Sequence, residues 1–362
     1  MHHLINLLFK LFIESGATLY KLDLYFSEFL ELKSEIFYSL GQNVQFFSRL
    51  YHLSLDVMSD FNIENLAALL RVLSKNAAKI NTLELEEFNS DYEPQLFHSL
   101  FQAIICIIKS QDQLRLFSVV GDEFPTNFYA IISALESQKN SLKEVIIENC
   151  GYSAEFEILE SCKNLETLRV RYCDTKLLKV LDCKISSLEI FDFSLDVQNI
   201  IVILEKTGTL LQRLKLEVSD DEIWEESLLL KALKSFCLNI SFLNITNIGF
   251  STQLLELIEE LKIRVMQFAE ILPPTLQYLE LRDVWLNSYV DILLNHCKAP
   301  LKKLLIDHLD NEKNSKALIE FCIRNKALSY VGVDRRLNLN DNFIKEVVAY
   351  VTLVSCEDIV VN

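Results

Sequence analysis

The sequence predicts an α/β solenoid in which short parallel strands alternate with helices, and three observations support this fold class. One apolar phrase, with apolar residues at relative positions 0, +3 and +5, returns along the chain at steps of 23 to 36 residues. Between the phrases the apolar spacing changes from strand-like to helical. Half of the 362 residues are hydrophobic and only 7 are glycine, so the composition suits one continuous core without flexible linkers.

The pattern is most regular between residues 142 and 216. There the phrase begins at Leu142, Leu165, Leu188 and Leu211, which are three consecutive steps of 23 residues. Repeats of this length are typical of leucine-rich-repeat solenoids, in which each unit contributes one strand and a return segment. We therefore expect a horseshoe with a parallel β-sheet on the concave face and helices on the convex face. The third phrase predicts that Leu188, Phe191 and Phe193 lie in the core.

The same phrase predicts strands on both sides of this centre. In chain order, the upstream phrases begin at Leu19, Leu50, Ile80 and Leu114, and the downstream phrases begin at Ile240, Leu276, Leu301 and Leu328, followed by a doubtful copy, Val351-Val354-Cys356. Together they make about 12 to 13 repeats. Longer units carry helical apolar spacing, for example in residues 66–73 and 254–261, which predicts a full return helix. The 23-residue units have room only for a short helix or a turn.

A single leucine-rich-repeat domain over residues 1–362 follows from this pattern, because each repeat of a solenoid packs only on its neighbours. Residues 1–18 are predicted to form a partial first repeat helix, 19–356 the repeats and 357–362 a C-terminal tail. The helix over residues 4–15 has no preceding strand. We therefore expect the chain to be a fragment or to lack an upstream domain.

Charge and hydropathy exclude several classes of partner. The net charge is −16 and the pI is about 4.9, which argues against binding to nucleic acid or to an anionic membrane. The chain contains no apolar run of the roughly 18 residues that would cross a bilayer. The apolar start lacks a basic region, so an amphipathic helix is favoured over a signal peptide. We expect a cytoplasmic or nuclear, intracellular protein.

The nine cysteines are odd in number and form no C-x-x-C pair, so they predict neither a disulfide framework nor a zinc site. Cys150 and Cys173 each follow the first leucine of a phrase by eight residues, which is the Asn/Cys position of the leucine-rich consensus. We expect the cysteines to be free and to pack as small apolar residues in a reducing compartment.

The sequence contains no motif that indicates catalysis or a cofactor. Gly-rich phosphate loops, paired metal-binding histidines and G-x-S-x-G are all missing, so we expect neither an enzyme nor a cofactor. His52 is expected to be an exposed strand residue. In the acidic stretch 219–226, Ser219 and Glu222 match a capping box and predict a helix start, with Trp224 as one candidate contact.

Alternation along each strand predicts that positions +2, +4 and +6 face the concave surface, where a partner would bind. Four cations on this surface form a predicted basic cluster: Arg169, Arg171, Arg213 and Lys215. Arginine suits an acidic or phosphorylated segment of a protein partner. The alternative is neutralisation by Glu148, Asp192 and Glu217 on neighbouring strands. Later strands add further candidate partner-binding residues, namely Arg282 and an aromatic set that we expect to be exposed: Phe242, Tyr278 and Tyr330.

Four segments carry a family resemblance: SLKEVIIENC, NLETLRVRYC, LLQRLKLEV and TLQYLELRDVWL. They resemble the ribonuclease-inhibitor-like leucine-rich-repeat superfamily, and the SCKNLETL join and the Cys at +8 look most like the repeats of F-box/leucine-rich-repeat proteins, particularly the large fungal sets. The resemblance covers roughly residues 4–356.

This resemblance implies the substrate-recognition region of an F-box-type (SCF) ubiquitin-ligase adaptor, in which an F-box binds the ligase core and the repeats bind the substrate. The chain departs from the family in having no F-box, and only Cys150 and Cys173 keep the regular cysteine position. Ubiquitin-ligase subunits are then expected partners if an F-box is supplied upstream. A ligase-independent scaffold or inhibitor is the alternative. A GTPase-activating solenoid is a third possibility. It needs a catalytic arginine on a loop beside the strands, and no motif in the sequence indicates such a residue.

Overall fold

The computed structural model describes most of the chain, and every structural statement here concerns those residues: 2–26, 42–57, 63–88, 94–121, 129–174, 176–180, 184–192, 196–218, 226–246, 258–282, 289–306, 312–333 and 341–355. The chain divides into two compact units, residues 1–184 and 185–362. The prediction of a single domain over 1–362 stays a prediction.

The first unit alternates strands with helices or short 3-10 turns. Its strands are β1 (Lys21–Phe26), β2 (His52–Val57), β3 (Thr82–Phe88), β4 (Leu116–Gly121), β5 (Glu144–Glu148) and β6 (Thr167–Arg171). Its α-helices are α1 (His2–Glu14), α2 (Ile63–Asn76), α3 (Pro94–Ser110), α4 (Tyr129–Ala134) and α5 (Leu177–Val180). The 3-10 helices are Val44–Phe47, Leu135–Gln138 and Ala154–Ser161. Each strand pairs in parallel with the next one along the chain, from β1 to β6.

The second unit follows the same plan. Its strands are β7 (Ser187–Asp192), β8 (Arg213–Val218), β9 (Phe242–Thr246), β10 (Tyr278–Arg282), β11 (Lys303–Ile306), β12 (Tyr330–Val333) and β13 (Thr352–Ser355). Its helices are α6 (Val197–Thr207), α7 (Glu226–Phe236), α8 (Ile258–Ile271), α9 (Val290–His296), α10 (Glu312–Arg324) and α11 (Asp341–Val348). These strands are also parallel and paired in sequence order.

The core lies between the sheet and the helices, as the two apolar periods predict. In β2, Leu53 and Leu55 are completely buried, because alternate side chains of a strand point to the same face. In α2, Leu66, Leu70 and Leu73 share one buried stripe at helical spacing. One parallel strand and one return segment per repeat, built on this core, is the architecture of a leucine-rich-repeat α/β solenoid. The predicted fold class is confirmed.

The local sequence also explains where individual helices begin and end. At the start of α6, the Asp196 carboxylate accepts hydrogen bonds from the backbone N–H groups of Gln198 (2.9 Å) and Asn199 (3.4 Å). This satisfies N–H groups that have no partner within the helix. At its other end Gly208 is the cap, and its backbone N–H donates to the Leu204 carbonyl. A Cβ there would lie 2.9 Å from Phe236 Cβ, so the α6–α7 approach requires glycine.

The regular 23-residue step does not extend through β7, and the phrase predicted there is wrong. Leu188 pairs with Leu214 and Ile190 with Leu216, so the buried phrase is Ile185-Leu188-Ile190. The central steps are therefore 23, 20 and 26 residues. Phe191 lies half-buried on the opposite side of the strand, and Phe193 is outside the described residues.

The unequal steps have a physical reason in the return segments. The 20-residue unit contains only the four-residue helix α5, whereas the 26-residue unit contains the eleven-residue helix α6. The predicted short return segment of the preceding 23-residue unit is confirmed by the 3-10 helix Ala154–Ser161. The doubtful last phrase is also shifted, because Leu353 rather than Val354 is in register with Val331.

Two buried glutamines join successive repeats of the first unit. Gln111 accepts from the Ile80 N–H (2.8 Å) and donates to the Ile107 carbonyl (2.8 Å). One repeat later, Gln138 is buried in the equivalent way at the end of a 3-10 helix. Each side chain therefore satisfies backbone groups at the place where a helix ends and the next strand begins.

The two consensus cysteines occupy equivalent positions after β5 and β6. The residues before them, Asn149 (φ 53°) and Tyr172 (φ 51°), adopt the left-handed conformation and turn the chain inward. The Cys150 N–H then donates to Cys173 Sγ at 3.4 Å, and Cys173 Sγ approaches the Ile147 carbonyl. The pKa of the Cys150 thiol is raised well above its ordinary value, mainly by the hydrogen bond with Cys173 and secondly by burial. The described cysteines are free, as expected.

No helix in the described part of the chain combines the length and the apolar character needed to cross a membrane.

Candidate protein-binding surface

Each strand presents alternate side chains on the side of the sheet opposite the core, which we call the outer face. On β5, β6 and β8 the burial pattern alternates residue by residue, so half of each strand faces outward. Because neighbouring strands are in register, equivalent residues form rows that cross the strands at right angles. Neighbouring side chains of a row are therefore 22 to 36 residues apart in the sequence.

In the first unit, the two arginines of the predicted basic cluster each face a glutamate of the neighbouring strand. Arg169 Nη2 lies 3.1 Å from Glu144 Oε1, and Arg171 Nη1 lies 3.4 Å from Glu148 Oε2. The Arg171–Glu148 pair matches the cross-strand neutralisation that the sequence offered as the alternative to a binding site, whereas the partner of Arg169 is Glu144, which that alternative did not include. Partly exposed ion pairs contribute little to stability, so they leave the arginines able to exchange partners.

The first three strands carry a different polar group on the same face. His52 Nε2 lies 3.2 Å from Asp23 Oδ1 and 3.6 Å from Glu84 Oε2, so the histidine bridges carboxylates of both neighbouring strands. Lys21 Nζ also lies 3.0 Å from Asp23 Oδ2. The described residues include no group of His, Cys, Asp and Glu that could hold a metal ion. His52, Asp23 and Glu84 form one polar cluster across β1, β2 and β3.

In the second unit, one row combines cations and aromatic rings. Its members, in order from β8 to β12, are Arg213, Phe242, Tyr278, Lys303 and Tyr330. The Arg213 guanidinium carbon lies 4.1 Å from the centre of the Phe242 ring. The rings of Phe242 and Tyr278 are stacked at 4.2 Å with an interplanar angle of 13°. Lys303 Nζ lies 5.8 Å from the centre of the Tyr330 ring. We call these five residues the cation–aromatic row.

The expectation that all three aromatic residues are exposed is wrong for two of them. Phe242 and Tyr278 are only 8 % and 6 % exposed, whereas Tyr330 is 42 % exposed. Phe242 and Tyr278 form a small apolar cluster with Leu305, which is itself buried on the outer face. Their rings therefore support the row from within, and Tyr330 presents the accessible ring.

Beside this row lies a buried polar network that the sequence analysis missed. Glu280 Oε2 accepts hydrogen bonds from the Tyr278 hydroxyl (2.6 Å) and from Asn244 Nδ2 (2.7 Å), and the Thr246 hydroxyl donates to Asn244 Oδ1 (2.7 Å). Glu280 and Asn244 are both buried. The one sequence signal for this network is that Tyr278 and Glu280 are two apart on one strand and therefore share a face.

The remaining candidates fall in three places. Lys215, on β8, forms an ion pair of 2.9 Å with Glu217 of the same strand. The backbone of Arg282 is in register with Thr246, but its side chain lies outside the described residues. Trp224 and most of the acidic stretch around it also lie outside them. The arginines of the basic cluster are divided between the units: Arg169 and Arg171 belong to residues 1–184, and Arg213 belongs to residues 185–362.

No protein-family model and no curated protein matches the chain. Among solved structures, the leucine-rich-repeat-containing protein LegL7 from Legionella pneumophila is 15 % identical, with 93 % of this chain and 91 % of that chain covered and a TM-score of 0.44. A chain of the Rad7 and Elc1 complex in yeast is 13 % identical over 99 % of this chain and 89 % of that chain, with a TM-score of 0.48. The leucine-rich-repeat protein LIC12759 from Leptospira interrogans is 13 % identical over 95 % and 98 %, with a TM-score of 0.37.

Proposed function

We propose that this chain is a non-catalytic protein-binding module whose outer sheet face holds an acidic or phosphorylated segment of a partner protein. The observation that carries this proposal is the cation–aromatic row in a chain of net charge −16. Positive charge in such a chain is scarce, with 35 basic residues against 51 acidic ones. The row carries two cations, Arg213 and Lys303, and no acidic residue, and this supports recognition of negative charge.

The row combines rigidity with access, which favours binding. A guanidinium that stacks on an aromatic ring keeps its N–H groups free to point at a carboxylate or phosphate. Arg213 is held in this way by Phe242, which is itself fixed by Tyr278. Less side-chain freedom is then lost when a partner binds. The exposed ring of Tyr330 adds the kind of aromatic contact that is enriched at interface hot spots.

Charge reversal on the row tests the proposal. Arrays of acidic, phosphorylated and neutral peptides are incubated with the purified chain and with the variants Arg213→Glu and Lys303→Glu. We expect the wild type to retain acidic or phosphorylated peptides, and each variant to lose at least about tenfold in affinity, because one attractive charge becomes repulsive. Lys316→Glu is the matched control. Lys316 is exposed on α10, and its replacement by glutamate changes the net charge by the same amount as the row variants do.

Two results would contradict the proposal. One is retention of acidic peptides by the row variants at the wild-type level. The other is an equal loss for Lys316→Glu, which would mean that overall charge and not the row determines binding. Thermal unfolding of each variant shows whether the fold is intact.

The finer assignment is the substrate-recognition repeat region of an F-box-type (SCF) ubiquitin-ligase adaptor, and it is supported by the resemblance of four repeats to F-box/leucine-rich-repeat proteins. A ligase-independent scaffold or inhibitor would use the same outer face. Affinity purification of the protein from its own cells separates the two, because an adaptor co-purifies with cullin-ligase subunits. Recovery of peptide-binding partners without any such subunit would favour the scaffold.

A further inference from the structure

Exposed cations without acidic neighbours in the sequence lie where β11 and β12 begin. Residues 292–306 and 321–333, which contain these two strands and the turns before them, include five basic residues and no acidic residue. One of the five, Lys303, belongs to the cation–aromatic row. The other four are exposed, and we call them the basic corner: Lys298, Lys302, Arg324 and Lys326.

Backbone contacts bring the two halves of the basic corner together. The Ser329 N–H donates to the Lys302 carbonyl at 2.9 Å, which joins the starts of the two strands. The Asn325 side-chain amide donates to the Ala299 carbonyl at 3.4 Å. The turn after α10 therefore packs against the turn after α9, and the cations of both turns share one edge of the sheet.

Lys302 differs from the equivalent lysine of the first unit in the neighbours that it meets. Lys143 and Lys302 each follow the first leucine of a phrase by one residue. Lys143 Nζ lies 2.6 Å from Glu166 Oε1, on the next repeat, and is neutralised there. Lys302 lies instead between Gln277 and Ser329, which are uncharged. No lysine of the basic corner forms an ion pair with a described residue, so its charge is available to a ligand.

We infer that the basic corner binds one phosphate group of the partner segment that the cation–aromatic row holds. This inference rests on the proposed function and adds the chemical group and its place. A phosphorylated side chain carries a charge of about −1.5 to −2 at pH 7 and three acceptor oxygens, so several cations contact it at once. A carboxylate, with a single charge, matches four cations less well. Lysine binds phosphate as a point charge, which needs no fixed geometry.

The strand spacing gives the distance between this phosphate and an acidic residue bound at Arg213. Arg213 is on β8, and β11 is three strands away through β9 and β10. Three spacings of roughly 4.8 Å make about 14 Å, and an extended segment covers that distance in about four residues at roughly 3.3 Å each. We therefore expect the phosphorylated residue to lie about four or five residues from the acidic residue that contacts Arg213.

A phosphorylated protein segment fits the basic corner better than a nucleic acid does. Nucleic-acid binding uses positive charge along many phosphates, whereas this corner covers the starts of two strands in a chain of net charge −16. Cations at the end of a helix also stabilise the helix dipole, and this accounts for Arg324 in the last turn of α10. It does not account for Lys302 and Lys303, which lie where a strand begins.

A phosphate scan tests the inference. The probes are the acidic peptides that the array retains, synthesised with phosphoserine, glutamate or serine at each position in turn. For the wild type, phosphoserine about four or five residues from the acidic residue is expected to raise the affinity at least about tenfold over serine and glutamate. The double variant Lys302→Gln/Lys326→Gln is expected to lose this gain and to keep its affinity for the unphosphorylated peptide.

The matched control is the double variant Lys231→Gln/Lys234→Gln. Both lysines are exposed on α7, Lys234 in its last turn, and the net charge changes by the same amount. This control should keep the full gain, and thermal unfolding shows that each variant is folded. The inference is overturned if phosphoserine adds no affinity at any position, or if the control loses the gain equally. It is also overturned if a short single-stranded RNA binds the basic corner more tightly than the phosphopeptide does.

These outcomes separate the inference from the proposed function. Each of them leaves the retention of acidic peptides by the cation–aromatic row unaffected, so the proposed function stands while the place of the phosphate is wrong. If the array retains no acidic or phosphorylated peptide, the proposed function and the inference fail together.

Discussion

Replacing Gln138 by methionine removes a polar joint between repeats while keeping the length of the side chain. Gln138 Oε1 accepts from the Leu114 N–H (3.1 Å) and from the Ser141 hydroxyl (2.9 Å), and Nε2 donates to the carbonyls of Ile108 and Gln111 (both 2.9 Å). Methionine packs in similar space but can make none of these bonds.

The cost follows from what remains unpaired. A buried backbone group without its hydrogen bond costs roughly 1 to 3 kcal/mol, and the substitution removes a hydrogen bond from three backbone groups. One of them, the Ile108 carbonyl, keeps a longer bond of 3.4 Å from the Gln111 N–H. Burial of the methionine offsets about 1 kcal/mol. We therefore expect the free energy of unfolding to fall by about 3 kcal/mol.

Urea unfolding monitored by circular dichroism measures this loss. With a slope of about 1 to 3 kcal/mol per molar urea, the midpoint of the transition that includes the first unit is expected to fall by about 1 M or more. The matched control is Gln113→Met. It replaces glutamine by methionine in the same unit, but at an exposed position. Equal midpoints for the two variants would refute the view that Gln138 joins the repeats. Amide hydrogen exchange at Leu114 should also accelerate in Gln138→Met alone.

Two further results are expected from the second unit and the cysteines. Gly208→Ala should destabilise the second unit by about 1 to 3 kcal/mol, because its Cβ would lie 2.9 Å from Phe236 Cβ, whereas Gly151→Ala meets only an ordinary contact and should be near neutral in the same urea titration. Burial raises the pKa of the Cys237 thiol from 9.0 to about 12. As the pH rises, the Cys237 thiol loses its proton in the unfolded chain before it does so in the folded chain. The free energy of unfolding is therefore unaffected by this thiol below pH 9 and falls as the pH rises from 9 towards 12. Iodoacetamide should accordingly modify the exposed Cys106 well before Cys237, and equal rates would contradict the burial of Cys237.

The sequence was sufficient for the strands because the apolar phrase expresses a physical requirement. Residues at +3 and +5 share a face, and in each repeat that face is the only one covered by the return segment. At β7, however, two phrases satisfy the template equally, Ile185-Leu188-Ile190 and Leu188-Phe191-Phe193. Regular spacing favours the second phrase. Only the pairing of Leu188 with Leu214 identifies the first, and pairing depends on residues outside the phrase.

The exposure of side chains on the outer face is a second feature that the sequence pattern could not predict. Alternation correctly placed Phe242 and Tyr278 on that face, but it could not give their exposure. Exposure depends on what stands beside a side chain in the neighbouring strands, and those strands lie 36 residues before and 25 residues after Tyr278 in the sequence. The stack of Phe242 on Tyr278, with Leu305 beside them, is a product of register and not of any local pattern.

The buried network beside the cation–aromatic row connects this register to the position of Arg213. A carboxylate that leaves water needs hydrogen bonds to offset its lost hydration, and Glu280 receives them from Asn244 and from the Tyr278 hydroxyl. The bond to Glu280 fixes the Tyr278 ring, the ring stacks on Phe242, and Phe242 lies under the Arg213 guanidinium. A continuous set of contacts therefore runs from a buried acid on β10 to a cation on β8. The position of Arg213 is then determined by residues that the proposed partner does not need to touch, and this rigid support is what the proposed binding surface requires.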